Sequence, residues 1–459
     1  MLNKMNREFL DIRVAALFYS LILALGLIPA SPAGAAPGSI DLDAAFSLAV
    51  ENHERIQIAQ AETEKNKLLP QKANSLMLPK LAVEGSYRRA GEPIEFEAEI
   101  AGFTLPPIET VPKEQVQGRF NLTQPIYEGE YFPLKRKSRQ LIEGGLEYYS
   151  KTVQDILFGV AQAYYEVFKA KELLRNAQEI LELNEEALRV ARVKFDSGDL
   201  TEDVVLRAEL NLTQAESMVI KNQNQLMIAT DYLKRLIGLE GQLPELIPPP
   251  EKTLVIRTFD ELMELALDNR YDYKIARTQI RVAETDIDVA KSRFHPRMRG
   301  TWDYYLVDDP SFLQDDDYWV AEVKLEIPIF DGGLKSLNLK EERENLKQAQ
   351  LECENLKDRI RNEVQSALLN ESTYRSILRN SEKKVRLAVK SHEILFSKFR
   401  FGSATILELD QAVTLLNSAK TELINNKYDY QVQLLVIEKA IGLFAETHVD
   451  KASSESPKM

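Results

Sequence analysis

The residue types that carry catalysis or hold metals are sparse in this chain and fall far apart. Its four histidines, His53, His295, His392 and His448, show no ligand spacing. A single cysteine, Cys353, excludes an internal disulfide, a structural zinc site and an iron–sulfur cluster. The glycine-rich signatures that cradle nucleotide phosphates are missing, and so are H-E-x-x-H and G-x-S-x-G. Carboxylates are plentiful, with 71 Asp and Glu, yet none pair in a way that helical periodicity separates from a solvated face. These observations point away from an enzyme and call for no cofactor and no metal. No energy-coupling site is legible either.

The elements that would position such residues begin with an address. Lys4, Arg7 and Arg13 precede an apolar stretch from Val14 to Pro29, followed by the small residues Ala33-Gly34-Ala35-Ala36. Basic start, short apolar middle and small-residue end predict a secretory signal peptide over 1–36. The competing reading is a membrane anchor helix; no cysteine lies near the cleavage region to carry a lipid. Beyond it, no apolar run reaches the roughly 20 residues of a membrane helix. A formal net charge of −13 argues against nucleic acid as a partner, because phosphate binding is built on clustered Lys and Arg.

The rest of the chain is one unit used twice. FSLAVENH at 46–53 matches MELALDNR at 263–270, and Leu78-Pro79-Lys80-Leu81 matches His295-Pro296-Arg297-Met298. Further on, LTQPIYEG at 122–129 matches LEIPIFDG at 325–332, and KFDSGDL at 194–200 matches KFRFGSA at 398–404. Leu236-Ile237-Gly238-Leu239 returns as Ala440-Ile441-Gly442-Leu443. The first repeat spans 37–242, a Pro-rich linker 243–257, and the second repeat 258–444. A polar tail at 445–459 reads as disordered.

Each repeat reads helix, strand, strand, very long helix, helix. The first long helix is expected from about Glu130 to Asp196, a rod of about 90–100 Å at 1.5 Å per residue. Leu146, Val153, Val160, Val167, Leu174, Leu181, Leu188 and Phe195 repeat every seventh residue, with a mostly small line at Tyr149, Ile156, Ala163, Ala170, Ala177, Asn184 and Ala191. That spacing implies supercoiled packing against other helices. Gly198 and Gly402 end the two rods, and each chain segment turns back into a second helix.

Four short segments alternate apolar and polar residues with period two, near 79–89, 115–126, 297–306 and 318–329. Such strands fit a half-buried soluble sheet or a membrane barrel with a wet lumen. Export favours the barrel. Four strands cannot close one, since about eight are needed merely to pack its interior, and open edges cannot sit in lipid. The strands must then be shared between chains, and three copies would supply twelve.

Over 40–443 the chain resembles the TolC-like outer-membrane efflux family. The carriers are the duplicated layout, the Leu78-Pro79 and His295-Pro296 strand entries, the Gln124-Pro125-Ile126-Tyr127-Glu128-Gly129 and Ile327-Pro328-Ile329-Phe330-Asp331-Gly332-Gly333 exits, and the two glycine turns. The resemblance implies a mainly α fold with a small β part. It implies a homotrimer whose 12-stranded barrel in outer-membrane lipid continues into a long periplasmic α-helical barrel. It also implies a periplasmic adaptor and an inner-membrane transporter as partners, in tripartite efflux or, as the nearest alternative use, type I secretion. A periplasmic coiled-coil structural or adaptor protein with a small soluble sheet is the alternative from another class.

Site residues follow from the same resemblance. Glu408 corresponds to one of the acids whose rings close the periplasmic tip in relatives, while Gln411 stands at the position of the other, with Asp410 beside it. Ala404 stands where relatives often carry a basic residue. Ser197, Gly198, Asp199, Phe401, Gly402 and Ser403 correspond to tip residues that meet the adaptor. Trp302, Tyr304, Tyr305, Tyr318 and Trp319 are expected as membrane-interface aromatics.

Overall fold

The computed structural model describes residues 38–91, 114–249, 251, 258–308 and 317–444, with short strand segments between 94 and 111. The expected signal peptide and polar tail lie outside the described residues, as do residues 309–316 and much of the linker.

Both repeats open with helices that are broken where one helix was expected. Helix α1 (Leu42–Asn52) stops at His53, whose backbone is extended at φ −74°, ψ 121°. The His53 ring then caps α2 (Glu54–Lys67), Nδ1 accepting from the Arg55 N–H at 3.2 Å. Pro70 sits in the first turn of α3 (Leu69–Ser75), where its missing N–H costs nothing. The second repeat breaks at the matching residue. Helix α6 (Phe259–Asn269) ends at Arg270, extended at φ −64°, ψ 124°, and α7 (Tyr271–Ser292) follows. A Thr258–Glu261 capping box starts α6.

The long helices are α4 (Tyr131–Asp196) and α8 (Leu334–Arg400), of 66 and 67 residues, each about 100 Å. They return as α5 (Glu202–Ile237) and α9 (Ile406–Ala440). Both rods end in the same closure. The Asp199 N–H reaches the Lys194 carbonyl at 2.8 Å, and the Ser403 N–H reaches the Lys398 carbonyl at 2.8 Å. Gly198 and Gly402 supply the positive φ, 84° and 74°, that this Schellman geometry requires.

Helix α4 packs on α5 and α9, and α9 packs on α8, giving the lateral order α5, α4, α9, α8. The small line of α4 is buried throughout, at Ala163, Ala170, Ala177, Asn184 and Ala191. Small side chains let neighbouring backbones approach closely, which is how a single-layer wall of helices stays tight. Near the turns, Ile180, Leu188 and Ala191 of α4 join Ala208 of α5, Phe399 of α8, and Leu409 and Val413 of α9 in one apolar cluster. The outer flanks carry Leu206, Leu210, Ile220 and Met227 on α5, and Leu337, Leu351, Leu369 and Leu387 on α8, all exposed.

The strands β2 (Lys80–Arg89), β7 (Glu114–Glu128), β9 (Arg297–Asp308) and β10 (Asp317–Glu326) form one antiparallel sheet in the order β10-β9-β7-β2. The two hairpins are thus joined through β7 and β9. A register shift between Pro125 and Tyr127 absorbs the proline, which cannot donate to the ladder. The connection between β2 and β7 contains two further antiparallel pairs. Ile94–Phe96 (β3) pairs with Ile108–Val111 (β6), and Glu99–Ile100 (β4) with Phe103–Thr104 (β5). A separate small unit pairs Ser39–Ile40 (β1) in parallel with Glu245–Leu246 (β8).

Candidate functional site

The sheet sorts its side chains by register. Val83, Phe120, Tyr304 and Trp319 stand in one cross-strand row, and Leu81, Leu122, Trp302 and Ala321 in the next. This face is apolar and open: Val83 is 66% exposed and Trp319 63%. The reverse face is charged. Arg119 donates from Nε to Asp303 Oδ1 at 2.8 Å, and Asn121 donates to the same oxygen at 2.6 Å. Glu84 lies 3.5 Å from the Arg119 guanidinium, which stacks over the Tyr305 ring. A sheet greasy on one side, ionic on the other, with β2 and β10 unpaired along their outer edges among the described residues, suits neither plain solvent nor an isolated span of lipid.

The five expected interface aromatics do not share a face. Trp302, Tyr304 and Trp319 project on the apolar side, with Trp302 stacked on Tyr304 at 6.1 Å between ring centroids. Tyr305 and Tyr318 pair on the charged side, stacked at 4.8 Å. Adjacent strand residues must point to opposite faces, so Tyr304 and Tyr305 cannot belong to one girdle.

The helical turns lie at the far end of the rods. Ser197, Gly198, Asp199, Phe401, Gly402 and Ser403 are all exposed, Phe401 to 80%. The Ser197 hydroxyl donates to the Lys194 carbonyl at 3.0 Å and to Asp199 at 3.1 Å. The Lys194 ammonium sits 5.9 Å from the centroid of the Phe399 ring, linking one turn to the other.

Glu408 is tied to its own helix. Its carboxylate accepts from the Thr405 N–H at 2.7 Å and hydroxyl at 3.0 Å, while its N–H donates to the Thr405 hydroxyl at 3.2 Å. These backbone and hydroxyl donors hold the carboxyl below its ordinary range. Gln411, three residues on, shares the exposed side of α9 with Glu408, whereas Asp410 is half-buried on another side. Among the described residues no group of three or more His, Cys, Asp and Glu is placed to hold a metal, and no helix is long and apolar enough to cross a membrane.

Sequence reading missed the Arg119–Asp303–Asn121 network. Strand alternation assigned each residue to the polar face, but the 184-residue separation of Arg119 and Asp303 hides their pairing. It also missed that Glu408 closes a capping box, although Thr405-Ile406-Leu407-Glu408 carries that signature.

The family model described as outer membrane efflux protein matches residues 45–239 and 262–443. Among relatives, the alkaline protease secretion protein AprF of Pseudomonas aeruginosa is 21% identical over 392 residues, covering 84% of this chain and 81% of that protein. The outer membrane protein TolC of Vibrio cholerae is 22% identical over 361 residues, covering 76% of this chain and 82% of its own length. Among solved structures, the CmeC outer membrane channel of Campylobacter jejuni superposes with a TM-score of 0.71 at 19% identity, covering 90% of this chain and 89% of that one.

Proposed function

Because this chain belongs to the outer membrane efflux protein family, we propose that three copies assemble into the passive export channel of a tripartite efflux system. The chain acts in the outer membrane of a Gram-negative envelope and extends into the periplasm. The observation that carries the assembly is the unfinished sheet. Among the described residues its four strands leave the outer edges of β2 and β10 unpaired, and a mainly apolar face backs onto an ionic one. Three such sheets joined edge to edge close a 12-stranded barrel, with the apolar face against lipid and the Arg119–Asp303 face toward water. The exposed leucines on α5 and α8, at opposite ends of the lateral order, then meet those of neighbouring copies and extend the tube. A pore this wide does no chemistry on what it carries; an inner-membrane transporter supplies the driving force, and a periplasmic adaptor meets the exposed turns around Ser197–Asp199 and Phe401–Ser403.

Glu408, repeated three times near the tip, gives that end a fixed negative charge that favours cations. Similarity to a protease secretion protein supports type I secretion as a second use of the same duct. Reconstitution into planar bilayers tests the proposal. Stable unitary currents from detergent-extracted trimer support it, whereas release by osmotic shock without detergent, with no channel activity, supports the periplasmic structural alternative.

A further inference from the structure

At the joint where α4, α7, α8 and α9 converge lies a cavity of about 490 Å³, within the range that holds small ligands. Its wall includes Gln154, which is 6% exposed and whose Nε2 has no hydrogen-bond partner. A buried amide donor left unmade costs about 1–3 kcal/mol, so the site calls for an acceptor. The charges around it are arranged with a direction. Lys151 and Lys439 share one carboxylate, each donating to Asp155 at 2.8 Å, which leaves that side with one cation in excess. Arg270 alone serves two carboxylates, Asp272 at 2.7 Å and Glu363 at 2.6 Å, and also donates to the Ala440 carbonyl at 3.2 Å. That side has one anion in excess, toward which Lys151 of the other wall also acts through Asp272.

We propose that this cavity binds a small zwitterion of the amino-acid or dipeptide class, with its carboxylate taken by Lys151, Lys439 and the Gln154 amide and its ammonium facing Glu363 and Asp272. A monovalent ion would satisfy one side and leave the other unmatched; a molecule with both charges fits both. The spare ammonium protons of the two lysines and the second carboxylate oxygen of Glu363 provide the donors and acceptor required. Because the lining comes from four helices, including both long rods, occupancy would clamp the joint between the repeats. This inference goes beyond the channel reading and does not rest on it.

The test is calorimetric titration of the full-length detergent-solubilised protein with glycylglycine, with acetate and methylammonium as single-charge controls. Saturable binding of glycylglycine, absent for both controls, is expected. Gln154→Leu and Lys439→Gln should each weaken it about tenfold or more, the loss of one hydrogen bond to a charged group. Circular dichroism confirms that the variants remain helical, and Ser217→Ala, remote from the cavity, should bind as the parent does. No saturable heat with glycylglycine, equal binding of acetate, or full affinity in both cavity variants would each overturn the proposal.

Discussion

Gly442 lies so close to Asn269 that a Cβ on the glycine would fall 2.7 Å from the Asn269 carbonyl carbon. Gly238 repeats the relation in the first half of the chain, 2.5 Å from Asn52. In each repeat, the left-handed residue that ends the returning helix is pressed against the last residue of the repeat's first helix. The two joints are where the returning helices meet the shorter helices.

Gly442→Ala should therefore destabilise the protein by about 2–4 kcal/mol, combining left-handed strain with overpacking. Gly198→Ala meets open space at a similar φ of 84° and should cost only the strain, about 1 kcal/mol. Denaturant midpoints followed by circular dichroism compare the two; equal losses would contradict the close-contact account.

His392, buried in α8 and stacked on Phe396 at 5.9 Å, gives stability a pH dependence. Burial, with Lys420 nearby, pushes its pKa below the ordinary 6.5 despite the opposing pull of Glu393. Below pH 6.5 the unfolded chain takes up a proton that the folded chain resists, so stability should fall as pH drops from there toward the depressed folded value. His392→Gln should flatten that slope in denaturation curves between pH 7 and about 5. An unchanged slope would show that the ring titrates normally.

The chain's two tryptophans, Trp302 and Trp319, both stand on the apolar face of the sheet. Nitroxide-labelled lipids should quench most of the fluorescence of the reconstituted protein, while aqueous iodide should quench little. Preferential iodide quenching would put that face in water.

Glu408 serves a cap and, in the channel reading, a gate. Thr405→Ala should loosen the start of α9 by about 1 kcal/mol, read as faster amide exchange there, with conductance unchanged. Combining Glu408→Ala with Asp410→Ala should lower cation preference in single-channel recordings. Preserved preference would confine Glu408 to capping. Since its folded pKa is lowered, the carboxylate's contribution is present above the ordinary carboxylate value and lost as pH falls through the folded one.

Local chemistry was legible wherever one element suffices. The alternation of Val116, Gly118, Phe120 and Leu122 with Gln117, Arg119, Asn121 and Thr123 assigned both faces of β7 before any register was known. The paired turns KFDSGD and KFRFGS announced two identical helix closures. Resemblance to a known family carried the assembly. What stayed hidden depends on distant partners: Arg119 finds Asp303, and β7 finds β9, only through tertiary register. The breaks at His53 and Arg270 also escaped notice, since neither residue is a helix breaker; each is extended at the junction of two helices. Residue type groups Tyr305 and Tyr318 with Trp302, Tyr304 and Trp319, where alternation alone separates them.

The central claim is that an open four-stranded sheet is completed by sister chains. Light scattering on detergent-extracted protein, corrected for bound detergent, measures this directly. A particle of three chains is predicted. A monodisperse single chain, folded and stable, would contradict it.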